Sequence, residues 1–209
     1  MTAAISFDGH WPEDETPIGI DVATRQFLRA HFRYAQQDKF FCVCPDETAA
    51  TLYRKFGAEE DVASERCISI NQNDAEALET AGCLIRYDPG IIKYAWARRY
   101  HGENRYSLCG IAHACASGSV MDIFGQYLTA PLHPWDAVIC PSQAIKGAIT
   151  SILEGWEAYL DEKFGIKPAT SLDLPVIPLA VDTVDMAKRA SKDARAAQRK
   201  RLGIGDSEI

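Results

Sequence analysis

Two short apolar runs, Asp136-Ala137-Val138-Ile139-Cys140-Pro141-Ser142 and Leu174-Pro175-Val176-Ile177-Pro178-Leu179-Ala180-Val181-Asp182, decide how this chain is read. Each is stopped by proline or a small polar residue, as buried strands are. Between them Ile145, Ile149, Ile152, Trp156 and Leu160 recur at helical spacing,. Strand, long helix and strand make a parallel βαβ unit. In such sheets ligands bind beyond the carboxyl ends of the strands. Ser142 and Asp182 fall at those ends and are candidate cleft residues. The same residue types also suit plainer work, Ser142 as a helix cap and Asp182 as a turn cap.

Working back to the amino terminus, the same alternation repeats. Strands are expected at 3–7, 39–44, 67–70, 83–87 and 106–112. Helices are expected at 21–34, after Asp46, at 75–80, at 91–100 and at 120–127, and Gly57 reads as the stop of the second. This is the pattern of a doubly wound, mostly parallel α/β sheet with Rossmann-like architecture and six or seven strands. The loops after the strands supply the candidate site. Gly19 and Ile20 stand where a loop enters a helix amino terminus, a place that exposes N–H groups to an anion. Asp88-Pro89-Gly90 follows the fourth strand. The next helix interleaves Tyr94, Trp96, Arg98, Arg99 and Tyr100, so that Asp88, Trp96 and Arg98 are candidates for a flat polar ligand; a solvated amphipathic face is the plainer reading. His113 ends the fifth strand and precedes Ala114-Cys115-Ala116-Ser117-Gly118. An imidazole beside small residues can hydrogen-bond a sugar hydroxyl or a developing charge, and a structural histidine fits equally.

Composition narrows the function classes. Of the 209 residues 47% are hydrophobic and 24% charged, enough chain for one substantial core,. The net charge of −7 argues against nonspecific nucleic-acid binding,. Residues 188–209 hold seven of the 22 basic residues and only three of the 29 acidic ones, so the tail is chemically distinct,. The seven cysteines form no CxxC pair, and buried free thiols in a reducing, cytoplasmic setting are expected,. Cys42 and Cys44 point to one face of their strand. No run has membrane-spanning length; peripheral membrane contact stays open. GxSxG, HExxH, DxD, Walker and dinucleotide fingerprints are absent from the sequence, which disfavours hydrolase and metalloenzyme readings,. Neither a metal nor a cofactor is expected.

Three segments together bring in a resemblance. The segment 136–142 is similar to the strand-to-serine segment of the retaining glycosyltransferases of family four. The segment 174–182 looks like their interdomain linker. Arg199-Lys200-Arg201-Leu202-Gly203-Ile204 resembles the basic helix and Leu-Gly-Ile ahead of their second domain. That family has the GT-B fold, two Rossmann-like domains facing a cleft, with the acceptor bound mainly by the first and the nucleotide-sugar donor by the second. The resemblance therefore implies an acceptor-binding domain over 1–182. Residues 183–209 become a basic linker at the start of a carboxyl-terminal donor domain that this chain does not include. Gly19 and Ile20 match the donor-phosphate loop, although the family carries paired glycines there. His113 matches a catalytic histidine near the transferred sugar, and Ser142 a small polar residue of the cleft. Ala180 stands where a glycine is usual, and a left-handed turn there would be strained.

The activity implied is transfer of a sugar from a nucleoside-diphosphate-sugar to a hydroxyl of a glycan, lipid or small-molecule acceptor. The 209-residue fragment is expected to be inactive alone. Two other functions remain in view. One is a non-enzymatic α/β binding module, and the other is a GT-B-type nucleotide-sugar epimerase fragment.

Overall fold

The computed structural model describes residues 2–9, 19–115, 117–205 and 208. The chain divides into two compact units, Met1–Pro178 and Leu179–Ile209. The division falls at Pro178, ahead of the expected boundary at 182.

The first unit alternates strand and helix in chain order. It comprises β1 (Ala4–Ser6), α1 (Gly19–Tyr34), β2 (Phe40–Val43), α2 (Glu47–Glu59), β3 (Cys67–Ile70) and α3 (Ala75–Ala81). Then come β4 (Cys83–Ile85), α4 (Ile92–His101), β5 (Ser107–Ile111), α5 (Gly118–Gln126), β6 (Ala137–Ile139) and α6 (Gln143–Phe164). The six strands form one all-parallel sheet in the order β3-β2-β1-β4-β5-β6. The architecture is a doubly wound, Rossmann-like α/β sheet, as the alternating pattern required. The chain runs outward from β1 to β3, returns to the centre at β4 and runs outward again. The order reverses between β1 and β4, and the loops leaving these two strands part there.

Alternation along the strands splits the core in two. On β2, Phe40 and Cys42 join a cluster with Ile5, Leu28, Phe32, Tyr53 and Phe56, while Phe41 and Val43 face the opposite cluster with Ala4, Leu84, Leu108, Tyr127 and Ile149,. Cap chemistry sets the helix starts. Asp46, Asp74, Ser117 and Ser142 each accept a backbone N–H from the first turn of α2, α3, α5 and α6 respectively,. Gly57 does not end α2, which continues to Glu59. The glycine is there for space: a Cβ would lie 2.9 Å from the Cys67 sulfur.

The expected strand at 174–182 is not a regular strand. Residues 173–177 nevertheless run parallel to β6, joined by bridges Ala137 to Asp173 and Cys140 to Val176. Asp173 N donates to Asp136 O, Val138 N to Asp173 O, Cys140 N to Pro175 O and Ile177 N to Cys140 O. By this alternation the nitrogen of residue 175 would serve the Val138 carbonyl, and proline has no N–H to give. The Cys140 thiol donates to that carbonyl instead, at 3.6 Å. The ladder is thus continuous in direction but interrupted at Pro175.

The second unit contains α7 (Thr183–Arg189) and α8 (Lys192–Leu202). The basic stretch that begins at residue 188 is thus divided between two helices. Ser191, extended, caps the second by accepting from Ala194 N at 3.2 Å,. The strain expected at Ala180 does not arise, because its backbone is not left-handed; Asp61 is the one non-glycine residue with positive φ among the described residues.

Candidate functional site

The reversal of strand order places the carboxyl ends of β1 and β4 side by side, and a polar network fills that place. Arg86, one residue past β4, is fixed by its main-chain bond to Cys109 O at 2.8 Å. Its guanidinium divides its donors among three partners. Nε donates to Asp88 Oδ1 at 3.1 Å, and Nη2 donates to Asp88 Oδ2. Nη1 donates to Ser6 Oγ at 3.2 Å and to Tyr94 Oη at 3.0 Å. Ser6 and Tyr94 share a further hydrogen bond of 3.0 Å. Asp88 Oδ1 also accepts from Gly90 N at 2.6 Å, which closes the loop 88–90 as an Asx turn ahead of α4,. Burial alone would raise the Asp88 carboxyl. The Arg86 hydrogen bonds and charge, the Gly90 N–H and the Lys93 charge outweigh it and hold the group below its usual range,. Burial would lower Arg86, and Asp88 and Tyr94 more than offset it.

This loop sits tightly on the neighbouring strand. A Cβ at Gly110 on β5 would lie 3.1 Å from Asp88 O, 3.2 Å from Ile91 Cγ2 and 3.3 Å from Pro89 Cα. From the far side the Tyr127 hydroxyl donates to Pro89 O at 2.6 Å. The loop is therefore held between β5 and α5, and the position of Asp88 is a property of the core.

His113 lies two residues beyond β5, where Ala112 N still pairs with Ile139 O at 2.9 Å. The half-buried ring is next to the Tyr87 main chain and the Asp88 charge. Burial lowers its pKa, and the hydrogen bond to the Tyr87 carbonyl and the Asp88 charge oppose this without cancelling it,. The ring is thus neutral at pH 7. One nitrogen carries the proton given to Tyr87, and Nε2 is buried with no hydrogen-bond partner among the described residues. In that tautomer Nε2 presents a lone pair, an acceptor for a hydroxyl. A buried polar atom without a partner costs about 1–3 kcal/mol, and His113 Nε2 shares this state with the Tyr53 and Tyr87 hydroxyls among the described residues,.

The other sequence candidates are placed differently. Gly19 and Ile20 are the first two residues of α1, not a loop; the segment 10–18 ahead of them lies outside the described residues. Among the described residues a Cβ at Gly19 would meet nothing within 4 Å. Asp88 belongs to the site; its carboxylate is held by Arg86 and Gly90, and its side chain is 40% exposed. Trp96 is 43% exposed, with the Arg99 guanidinium 5.9 Å from its ring centre.

Arg98 is a correction. It is 0% exposed and donates in a two-pronged pair to Asp136 at 2.7 Å and 2.7 Å, to Tyr106 O at 2.8 Å and to Pro131 O at 3.2 Å. Asp136, equally buried, accepts in addition from Leu108 N at 2.8 Å and His133 N at 2.9 Å. Arg98 ties α4 to β5 and β6 inside the core and has no surface for a ligand.

Ser142 remains beyond β6 and caps α6, accepting from Ile145 N at 3.2 Å. Asp182 is also a correction. It does not end a strand; it belongs to the second unit and caps α7, accepting from Val184 N and Asp185 N at 3.0 Å. Among the described residues no group of three or more His, Cys, Asp or Glu is placed to hold a metal ion, and no helix is long and apolar enough to cross a membrane.

Ser6, Arg86 and Tyr94 were not singled out as one group by the sequence reading. The available signal was an arginine and an aspartate two apart at the end of an apolar strand, hence on one face. Comparison with protein-family models, with curated proteins and with solved structures finds no match for this chain.

Proposed function

We propose that this chain is the acceptor-side domain of a two-domain retaining glycosyltransferase of GT-B type. The complete protein would move a sugar from a nucleoside-diphosphate-sugar to an acceptor hydroxyl. The observation that carries the reading is His113: a neutral imidazole whose Nε2 has no partner among the described residues, at the carboxyl end of β5 and beside the reversal of strand order. The resemblance of 136–142, 174–182 and 199–204 to family-four segments supports it.

In this reading each group has a defined task. The neutral His113 accepts a hydrogen bond from a hydroxyl of the transferred sugar and orients it. Arg86 does not clamp phosphate, since Asp88, Ser6 and Tyr94 occupy its donors; it holds the 88–90 loop on which His113 leans. The amino terminus of α1 at Gly19 and Ile20 offers N–H groups toward the diphosphate. The cationic clamp on the diphosphate and the other wall of the cleft come from the second domain, whose closure excludes water. The 209-residue chain alone therefore turns over no nucleotide-sugar.

The test starts with the reading frame beyond Ile209, which should continue into a second Rossmann-like domain with a Glu-x7-Glu motif. That two-domain protein is then assayed against a panel of nucleotide-sugars and acceptors, in parallel with the 209-residue chain. His113→Ala should lower kcat much more than it changes the acceptor KM. Equal turnover by the short chain, or full turnover by the His113→Ala variant, rejects the proposal.

A further inference from the structure

All seven cysteines lie among the described residues, and all are free thiols. Two of them are in contact: the sulfurs of Cys42 and Cys44 are 3.0 Å apart. Residues two apart on a strand share a face, and here the face is the one covered by α2. Cys42 is in the middle of the sheet, opposite Ile5 on β1 and Ser69 on β3, and is 0% exposed. Cys44 is one residue past the end of β2, half-buried, just before Pro45 and the cap Asp46.

The two thiols are not equivalent. Cys44 is held below the ordinary thiol range, first by the hydrogen bond from Cys42, against burial, and then by the Ser69 hydroxyl and the Arg54 charge,. Cys42 is pushed well up, mainly by burial. These opposite shifts make the Cys42 S–H the donor of the contact and the Cys44 sulfur its acceptor. The other five cysteines are all pushed up, each mainly by burial. Cys44 alone combines solvent access, anion-stabilising neighbours and a second thiol at contact distance.

We propose that Cys42 and Cys44 form a redox pair, in which Cys44 is the thiol oxidised by a small hydroperoxide and Cys42 closes a reversible Cys42–Cys44 disulfide. The Cys44 thiolate attacks one peroxide oxygen and the O–O bond breaks. This leaves a sulfenic acid on Cys44 and an alkoxide, or hydroxide from hydrogen peroxide, which takes from solvent the proton that Cys44 released on becoming a thiolate and departs as alcohol or water. The Cys42 sulfur then attacks the Cys44 sulfur, the S–OH bond breaks, and the Cys42 proton leaves with the hydroxide as water. Two thiols and one hydroperoxide give one disulfide, one water and one alcohol, or two waters from hydrogen peroxide. Two residues apart on an extended strand, the Cα atoms are about 6.6 Å apart, at the outer end of what a disulfide spans. The bond is thus made under tension and is readily reduced, as a regulatory disulfide must be.

The experiment uses the full chain and hydrogen peroxide as the probe. At near-stoichiometric peroxide the intact mass should fall by about 2 Da, the loss of two hydrogens. Peptide mapping should place the bond at Cys42–Cys44, and a mild dithiol should restore the mass. Before oxidation, iodoacetamide at neutral pH should modify Cys44 ahead of Cys83, Cys109 and Cys115. In Cys42→Ala the same peroxide should leave a Cys44 sulfenic acid that dimedone traps. The wild-type mass and map need no variant, so a poorly folded mutant does not obscure the answer. Oxidation that falls first on another cysteine, a disulfide that uses Cys67, or stable oxygen adducts on Cys44 with no mass loss would each overturn the pair.

Discussion

Arg98→Met is the perturbation that most directly separates a structural arginine from a ligand-binding one. The wild-type guanidinium donates to both Asp136 oxygens and to two carbonyls, with no atom of either side chain in water. Methionine keeps much of the volume and none of the donors. Asp136 would keep its bonds from Leu108 N and His133 N but lose its counter-charge. Removing one partner of a buried ion pair costs about 3–5 kcal/mol, and the orphaned Tyr106 and Pro131 carbonyls push this case to the upper end. With a urea dependence of about 2 kcal/mol per molar, the unfolding midpoint should fall by about 2 M. Tryptophan fluorescence is a suitable readout, because all four tryptophans precede residue 178 and report the first unit. The double variant Arg98→Met/Asp136→Leu should be less destabilised than Arg98→Met alone, since no unpaired charge is left. A loss under about 1 kcal/mol for the single variant, or a double variant that is worse than the single one, would refute the reasoning.

His31 carries a pH prediction. Burial holds its pKa at about 4, against an ordinary 6.5. The unfolded chain therefore binds a proton that the folded chain refuses, and stability should fall as the pH drops from 6.5 toward 4, then level off. The step is at most on the order of 3 kcal/mol; urea midpoints of wild type and His31→Gln across that range measure it, and identical slopes would show that His31 is not responsible. Gly125→Ala should destabilise by about 1–3 kcal/mol, because its Cβ would lie 2.4 Å from the Trp156 ring where α5 meets α6,; a neutral result in thermal melts would mean that the helices separate freely. Amide exchange should be fast throughout Lys192–Leu202, an eleven-residue helix with no buried residue, and slow in β1 and β4; strong protection in α8 would contradict this.

Local signals read well where local chemistry decides the outcome. The bounds of β3 were legible because a β-branched run stands between a turn and a loop. Asp46 announced α2 because an N-cap acts within three residues. Gly57 misled for a physical reason: a glycine that ends helices elsewhere is here a gap for the Cys67 sulfur, and the partner is in the next strand. The break at Ser191 is hard to read from sequence because alanines at helical spacing continue on both sides of it, while the cap bond from Ala194 N starts a new helix. His113 and Asp88 were legible as strand-end residues. The Ser6–Arg86–Tyr94 network was not, because it exists only once β4 returns to pair with β1, some eighty residues away in the chain. Arg98 reads as a ligand or solvent residue because Arg99 and Tyr100 follow it, and its buried partner Asp136, just ahead of β6, lies 38 residues further along the chain.

The interrupted ladder beside β6 has a consequence for self-association. An open sheet invites further strands at its margin, each added by main-chain bonds alone. Along 173–177 the odd-numbered residues are the ones that bond β6, so the even-numbered ones turn their N–H and C=O groups outward. Pro178 removes the next outward donor, and Pro175 kinks the inward row. A strand from another copy of the chain would find two outward donors, at Leu174 and Val176, and then no third. The sheet on this side is terminated by its own sequence, and a Pro178→Val change would reopen it as a template for aggregation.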